Sequence, residues 1–534
     1  MTQSMPIPVQ SPLVFIGAQA QPTSPPALSP DSEKKADMAG ALPRLPDDFL
    51  YGACLNPGQN ETGLHNSDWW VWSHMKDFFG NAYGNGDTAD GGTDFAHVNP
   101  DGTPGGHFKE QLAAAKKMGM NSFTYSLDWS RIQPTRDGPY DPAALRLYHA
   151  LFQEMLKDGL KPIINMQHFV LPLWVYDPAH PDQSLGGWAG RGKDAPGSAP
   201  IVSAIARFAG DMAKEYGKEI KFWIPINEPM SDSVGRYFAG EFPGRGIPFD
   251  LHDEWKSVIN MAYAHARMYD AIHANEPDAQ VGVAQHLREY QPLRPGNASD
   301  IAAASQTARY MNQVFLDAIT TGDADWNGDG KLDGPAEGKA VPALKNRADW
   351  LGINYYTRDK VVGFPFGLSL GWGGLKLRGL PISEIPYIAH FFQGPASDDS
   401  TEIYPQGMYD CLMWAQRQYH LPMMVTENGI ADGATPDKMR PKFILDHVAE
   451  MQKAMKDGAN VMGYQHWALT RTFEWQDGLQ YDFGLLRVNM KDPNRSFTWT
   501  DGAKTYAEVI AAKGVTAGLE AQAQALAAGQ VKKR

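Results

Sequence analysis

The sequence predicts an α/β protein built as a single (β/α)8 barrel of the TIM type. Eight short apolar runs of strand length alternate with helix-length stretches in which apolar residues recur three and four positions apart. Several of these stretches end in glycine before the next apolar run, as at Gly119, Gly159 and Gly458. A doubly wound sheet is the alternative. However, none of the predicted strands is followed by the glycine-rich phosphate turn that such folds often carry.

The predicted strands are residues 49–55, 121–127, 162–169, 221–227, 280–287, 350–356, 423–429 and 461–469. In a (β/α)8 barrel the carboxyl ends of all strands surround one mouth, and active sites lie there. Functional side chains are therefore expected directly after these runs.

The chain divides into three parts by composition. Residues 1–45 are rich in Pro, Ser, Gln and Ala and predict a flexible leader, residues 46–513 form the barrel, and residues 514–534 form an Ala-rich tail. A short apolar run near the start, followed by Ala-Gln-Ala, resembles a secretion signal, but no Lys or Arg precedes Lys34. We therefore expect a cytoplasmic protein, with a secreted or periplasmic location as the alternative.

Composition excludes several classes of partner. The formal charge of -13 disfavours nucleic acid and anionic membrane surfaces, and no apolar run approaches the ~20 residues that cross a bilayer. The two cysteines allow one disulfide at most. Aromatic residues make up 11% of the chain, and their flat apolar faces suit the C–H faces of sugars as well as a core. A small-molecule substrate is the expected partner.

Two glutamates follow predicted strands at equivalent positions. Glu228 follows Asn227 at the end of the fourth strand, in IPINEPM, and Glu427 ends the apolar part of the seventh, in MMVTENG. Across a barrel mouth they would face each other, and paired carboxyls across a sugar are what glycoside hydrolysis requires. The alternative is that each is a helix-entry glutamate stabilised by the helix dipole.

These motifs carry a resemblance to a known family. The strings INEP, TENG and FEW, in this order over residues 48–510, resemble glycoside hydrolase family 1, the retaining β-glucosidases and β-galactosidases. The strings LPLWVYDP, GINYYTRD and VTENGIAD are similar to its archaeal β-glycosidase branch. The resemblance implies a retaining exo-β-glycosidase acting on terminal β-D-glucosyl residues, with β-galactosyl and β-fucosyl as further glycones. It implies no cofactor for catalysis.

The resemblance also implies catalytic roles. Glu228 matches the acid/base, Asn227 a donor to the sugar 2-hydroxyl, and Glu427 the nucleophile. Arg131 matches an arginine that lies against the nucleophile and keeps it ionised, and Tyr356 matches a phenol that hydrogen-bonds it. The two carboxyls should lie about 5 Å apart. The neighbouring carboxylate should raise the pKa of Glu228.

Further residues match the sugar-binding pocket of the family. They are Gln59, His168, Glu474 and Trp475 for hydroxyl contacts, Trp467 for stacking, and Phe483 for the pocket wall. The chain departs from the family at Phe169, where a tryptophan is usual, and at Arg471-Thr472, where Asp-Asn is usual. A carboxylate at position 474 would repel a phosphosugar, so an unphosphorylated glycone is expected.

Without the resemblance, several of these residues have simpler interpretations. His168 is compatible with an interior histidine, and Trp467 and Phe483 with core aromatics. Arg131 is compatible with a structural ion pair.

Residues 325–333, DWNGDGKLD, predict a structural calcium site distant from catalysis. The ligand positions are Asp325, Asn327, Asp329, Lys331 and Asp333, with Gly330 at the turn. The bidentate glutamate expected at the twelfth position is absent, since that place is Ala336. A polar turn is the alternative.

The sequence leaves two alternative functions. The string GLSLG around Ser369 fits the nucleophile elbow of serine esterases, a motif that needs a strand before it and a helix after it. Neither pattern is present in the flanking sequence. A non-catalytic sugar-binding barrel is the other alternative, and the presence of both Glu228 and Glu427 argues against it.

Overall fold

The structure is a computed structural model that describes residues 42–76, 80–192, 194–244, 249–365, 369–372, 375–381 and 394–531. Side chains at 370–372, 375–376 and 527–531 are not described. Eight parallel strands close into a barrel, each paired with its neighbours in chain order and the last paired with the first. The (β/α)8 prediction is confirmed, and the doubly wound alternative is wrong.

The barrel strands are β1 (Leu50–Cys54), β2 (Ser122–Ser126), β3 (Lys161–Asn165), β4 (Phe222–Ile224), β5 (Gln280–His286), β6 (Trp350–Asn354), β7 (Met423–Asn428) and β8 (Val461–Trp467). Several end earlier than the sequence predicts; β3, for example, stops four residues before the end of its apolar run at Phe169. Met166 and Phe169 are nevertheless buried. An apolar run indicates burial, and the buried segment continues beyond the last residue that hydrogen-bonds to a neighbouring strand.

The helices that surround the barrel are Phe108–Lys117, Pro142–Lys157, Pro200–Tyr216, Leu251–Asn275, Ala298–Ala308, Val314–Thr320, Gln406–Tyr419, Arg440–Lys456 and Asp501–Ala512. A further helix, Ala517–Val531, lies in the alanine-rich tail. Gly119 and Gly458 follow helices with φ of 94° and 107°, a conformation that only glycine adopts readily. They end their helices as predicted.

Two apolar layers hold the barrel together. One small cluster contains residues from six strands and packs the barrel interior: Leu50, Ile163, Ile224, Ala284, Trp350 and Met424. A much larger cluster packs the helices against the outside of the strands. Since the interior is filled, the open space lies at the mouth.

Strand register places three polar side chains side by side at this mouth. His286 on β5 lies opposite Asn354 on β6, and Asn354 lies opposite Glu427 on β7. The β6–β7 register shifts between Val425 and Glu427, an irregularity that re-aims the glutamate relative to the strand before it.

The segment after β6 forms small sheets near the mouth. Arg358–Gly363 pairs with Gly379–Pro381 and with Glu289–Pro292, and Leu370–Trp372 pairs with Leu375–Leu377. Ser369 is exposed and precedes a strand, whereas a nucleophile elbow requires a helix there. Gly367 of the same motif lies outside the described residues. The serine esterase hypothesis is therefore not supported.

At the N-terminal boundary, residues 1–41 of the predicted leader lie outside the described residues, so that boundary stays a prediction. Leu45 is buried, and its N–H donates to the carbonyl of Lys513. Cys54 and Cys411 are buried free thiols. A search of the described helices finds none with the length and apolarity needed to cross a bilayer.

Candidate active site

The barrel mouth opens into a cavity of about 560 Å³. Eight of the residues expected at the site line it: His168, Glu228, Tyr356, Glu427, Trp467, Glu474, Trp475 and Phe483. Three others, Gln59, Arg131 and Asn227, lie outside this lining. The structure thus brings both strand-end glutamates, together with most of the sugar-binding candidates, into one space.

Glu228 is held in a conformation that is unusual for a side-chain-bearing residue. Its φ of 44° and ψ of 59° are left-handed, and it begins the short helix Pro229–Ser233. Its backbone N–H donates to the Ala284 carbonyl at 2.7 Å. Such backbone conformations cost about 1–3 kcal/mol and persist where surrounding contacts enforce them, often at functional sites. Phe169 and Trp475, which also line the cavity, have positive φ as well.

The carboxyl of Glu228 is contacted on both oxygens. Asn354 Nδ2 donates to Oε1 at 2.7 Å, and His286 Nδ1 lies 3.5 Å from Oε2. Neither Asn354 nor His286 was identified from the sequence. Their position at the ends of barrel strands was a signal that could have identified them. His286 ends β5, Asn354 ends β6, and Glu427 is the second-last residue of β7.

Glu427 receives the contact that the family resemblance implies. Tyr356 Oη donates to its Oε2 at 2.7 Å. The backbone N–H of Tyr355 donates to the Glu427 carbonyl at 2.9 Å, which fixes the residue against β6. Thr426 Oγ1 donates to Asn354 Oδ1 at 2.6 Å and so orients the Asn354 amide with its NH₂ group toward Glu228.

The expectation for Arg131 is wrong. Its Nε donates to Glu61 Oε2 at 2.9 Å and its Nη2 to the Thr62 carbonyl at 2.8 Å. Tyr125 Oη donates to the other Glu61 oxygen, so the buried pair is well satisfied. Arg131 lies five residues beyond β2 on the short helix Trp129–Ile132, and its guanidinium is committed to Glu61. The structural ion pair is the correct interpretation.

The charge balance of the two glutamates also differs from expectation. Burial raises the pKa of Glu427 well above its usual range. The negative charges of Glu228 and Glu474 raise it further. Burial alone would raise the pKa of Glu228, but the His286 imidazole and the Asn354 hydrogen bond lower it to about 2. Burial and the neighbouring carboxylate therefore raise the pKa of Glu427, whereas the raised pKa was expected for Glu228.

His168 and Asn227 form a polar cluster behind the carboxyls. His168 lies 3.2 Å from Asn227 Nδ2 through Nε2 and 3.4 Å from Asn165 Nδ2 through Nδ1. Burial lowers the pKa of His168 to about 4, so its ring is neutral. Asn354 Nδ2 also lies 3.2 Å from Asn227 Oδ1. Asn227 therefore orients its neighbours from outside the cavity lining.

Glu474 and Trp467 form the opposite wall. Trp467 Nε1 donates to Glu474 Oε1 at 3.4 Å, and the hydroxyl of Thr472 donates to the same oxygen. Burial raises the pKa of Glu474 to about 8. Thr472, one of the departures from the family pattern, therefore supports this carboxyl directly.

Phe169, the other departure, is part of an aromatic cluster. Its ring centroid lies 5.3 Å from that of Trp475 and 5.1 Å from that of Phe242. Trp475 packs against Trp69 at 4.4 Å. Phe169 thus supports the pocket wall by packing and supplies no N–H for a sugar hydroxyl.

Gln59 lies on the short helix Pro57–Asn60, outside the cavity lining. Its Oε1 accepts from Asn56 Nδ2 at 3.2 Å, and its buried Nε2 has no hydrogen-bond partner among the described residues. An unpaired buried amide N–H is costly. Gln59 therefore retains a donor that could serve a ligand, although the structure does not place it among the lining residues.

The predicted calcium loop forms no cluster of metal-binding side chains in the described structure. Both oxygens of Asp325 accept backbone N–H groups, from Asp329 at 3.2 Å and from Gly330 at 2.8 Å. The Arg309 guanidinium lies 3.7 Å from Asp325. Among the described residues, no group of three His, Cys, Asp or Glu side chains is arranged to hold a metal ion. The polar-turn alternative accounts for the loop.

Comparison with known proteins agrees with this geometry. The sequence profile of Glycosyl hydrolase family 1 matches residues 42–515. A beta-galactosidase of Sulfolobus acidocaldarius is 29% identical over 526 residues, covering 89% of this chain and 97% of that protein. A 6-phospho-beta-galactosidase of Streptococcus equi subsp. zooepidemicus is 29% identical over 491 residues, covering 86% and 97%.

The structural comparison gives the same result. The crystal structure of the beta-glycosidase from the hyperthermophile Thermosphaera aggregans superposes with a TM-score of 0.71 at 26% identity, covering 90% of this chain and 99% of that one. A profile match across most of the chain, the closed barrel and the two strand-end glutamates in one cavity lead to the same conclusion: this chain belongs to glycosyl hydrolase family 1.

Proposed function

We propose that this protein is an exo-acting, retaining β-glycosidase that releases terminal β-D-glucosyl residues and also accepts β-D-galactosyl and β-D-fucosyl glycosides. The observation that carries the proposal is the placement of Glu228, four residues beyond β4, and of Glu427, near the end of β7, in one cavity. Asn354 hydrogen-bonds to the carboxyl of Glu228, and Tyr356 to that of Glu427. A purely sugar-binding barrel has no use for such a pair.

In the proposed mechanism, a carboxylate oxygen of Glu427 attacks the anomeric carbon while the bond from that carbon to the aglycone oxygen breaks. Glu228 gives its proton to the departing oxygen, so the aglycone leaves as a neutral alcohol. Glu228 then takes a proton from water, whose oxygen displaces Glu427 from the anomeric carbon. Two inversions give net retention. Glu228 must be protonated and Glu427 ionised for the first step.

An unphosphorylated glycone is proposed because of the charges that line the cavity. Eight acidic residues line it: Glu228, Glu241, Glu254, Asp399, Glu402, Glu427, Glu474 and Asp477. Its described lining contains the arginines Arg288 and Arg358 and no lysine, and these arginines pair with Asp359 and Glu402 respectively. A phosphate needs a cationic or N–H-rich partner. The 6-phospho activity named for some relatives therefore does not transfer to this chain.

The deciding experiment follows the anomeric proton by NMR during hydrolysis of p-nitrophenyl β-D-glucoside, with the β-galactoside and the 6-phospho-β-galactoside in parallel. The β-anomer should appear first, before mutarotation, and the phosphorylated substrate should be cleaved at least ~10²-fold more slowly. Glu427→Gln and Glu228→Gln should each abolish turnover of the β-glucoside while folding is retained.

Glu508→Gln on an exposed helix position is the matched control and should behave as wild type. An α-anomer appearing first would overturn the assigned roles. Hydrolysis of p-nitrophenyl acetate that is lost in Ser369→Ala, without glycoside cleavage, would instead restore the esterase hypothesis.

A further inference from the structure

A chain of three side chains leads from a buried carboxylate to Glu228. His286, the last residue of β5, has Nδ1 3.5 Å from Glu228 Oε2. Arg288 Nε donates to the other ring nitrogen, Nε2, at 3.3 Å, and Arg288 Nη1 lies 3.3 Å from Asp359 Oδ2. Asp359 is buried. None of these three residues has a place in the proposed mechanism so far.

This arrangement determines the protonation of the imidazole. An arginine is always charged and can only donate, so the nitrogen that receives its N–H must carry a lone pair and no proton. His286 is therefore the neutral tautomer with its proton on Nδ1, the nitrogen that faces Glu228. Ser231 Oγ lies 3.4 Å from the same nitrogen and provides a second polar neighbour for it.

We propose that His286, oriented by Arg288 and Asp359, is a positioning residue that holds the Glu228 carboxyl in place for proton transfer to the aglycone oxygen. This inference rests on the proposed function. Asn354 holds Oε1 from one side, and the Nδ1–H of His286 holds Oε2 from the other. Two donors on opposite oxygens restrict rotation of the carboxyl plane. The left-handed backbone at Glu228 alone does not restrict this rotation.

The charged and titratable groups around His286 determine the direction of the pH effect. Arg288 lies on one side and Glu228 on the other, and the Tyr356 ring packs edge-on with its centroid at 5.7 Å. The Nδ1–H of His286 donates toward Glu228, and this hydrogen bond lowers the pKa of the carboxyl by stabilising its ionised form. Its removal should raise that pKa. The alkaline limb of kcat/KM, where Glu228 loses the proton that it gives to the leaving oxygen, should therefore move to higher pH.

The test compares two leaving groups in His286→Ala. Phenyl β-D-glucoside needs a proton on its leaving oxygen, whereas 2,4-dinitrophenyl β-D-glucoside does not. We expect kcat/KM to fall by about 10–100-fold for the phenyl glucoside and by less than about 3-fold for the dinitrophenyl glucoside. The alkaline limb should move up in pH. Arg288→Met should change both quantities in the same direction by a smaller amount.

Two variants separate positioning from general disturbance. His286→Asn keeps an N–H that can face Glu228 and should recover most of the loss on the phenyl glucoside. His180→Ala, at an exposed histidine, should match wild type. Equal losses on both substrates, or an alkaline limb that stays in place in His286→Ala, would overturn the inference.

A readout independent of turnover separates this inference from the proposed function. Wild-type enzyme that cleaves no β-glycoside would refute the function alone. Carbon-13 NMR of glutamate-labelled protein, with the Glu228 carboxyl signal assigned by its loss in Glu228→Gln, then reports the pKa directly. His286→Ala should raise it, and an unchanged value would reject the role of His286.

Discussion

Removal of the Tyr356 hydroxyl should disable the nucleophile without disturbing the barrel. The phenol donates to Glu427 Oε2 at 2.7 Å in a buried site, and it is the main group that lowers a pKa that burial and Glu228 both raise. A hydrogen bond to a charged acceptor contributes about 1.5–3 kcal/mol. At 1.36 kcal/mol per pKa unit, Tyr356→Phe should raise the pKa of Glu427 by about one to two units.

Since attack requires ionised Glu427, the acid limb of the pH profile should move upward by that amount. At pH values on this limb, kcat/KM for 2,4-dinitrophenyl β-D-glucoside should fall by about 10–100-fold. Tyr355→Phe is the matched control, because the Tyr355 hydroxyl donates to the Tyr404 carbonyl, away from the carboxyls. It should lower stability by about 1 kcal/mol and leave the limb in place. An unshifted acid limb in Tyr356→Phe would refute the reasoning.

Three further outcomes are expected. Arg131→Met should lower the free energy of unfolding in urea by about 3–5 kcal/mol, with little shift of the acid limb of the pH profile. Adding Glu61→Gln should recover much of that stability. No recovery would contradict a structural ion pair. Burial raises the pKa of Glu254 to about 8 from 4.5, so its folded form binds a proton more tightly and stability falls as pH rises between these values. Glu254→Gln should therefore raise Tm at pH 9 more than at pH 5. Glu508→Gln is the exposed control. A gain in Tm that does not depend on pH would contradict the raised pKa of Glu254. Treatment with EDTA should change Tm by less than about 1 °C, because the Asp325 carboxylate already accepts hydrogen bonds from backbone N–H groups of its loop. A larger fall in Tm would support the calcium site.

Much of the architecture follows from local patterns. Eight apolar runs, helical periodicity between them and glycines such as Gly119 at helix ends are all short-range properties, and each agrees with the closed barrel. Strand ends were less accurate, because Phe169 and its neighbours are buried outside the ladder. Burial is visible in a sequence, whereas the loss of ladder hydrogen bonds is not.

The candidate site was found in part for the same reason. Glu228 and Glu427 are recognisable because a strand end in this fold always faces the mouth. His286 and Asn354 satisfy the same rule, but His286 stands in no quoted motif, and only Tyr356 was taken from the GINYYTRD motif that contains Asn354. The role of Arg131 was wrong because a resemblance assigns a role to a residue without showing where its side chain points. Only the structure shows that its guanidinium contacts Glu61.

By itself, the sequence determined the barrel, the family and the two glutamates that carry the proposed chemistry, since these depend on periodicity and on motifs of a few residues. Only the tertiary structure decided which groups surround those glutamates: Tyr356 at Glu427, Asn354 and His286 at Glu228, and no arginine from position 131. Protonation depends on distances of a few ångströms between residues far apart in the chain, because Coulomb energies and hydrogen bonds act over that range. Strand register, which a single sequence does not display, fixes those distances.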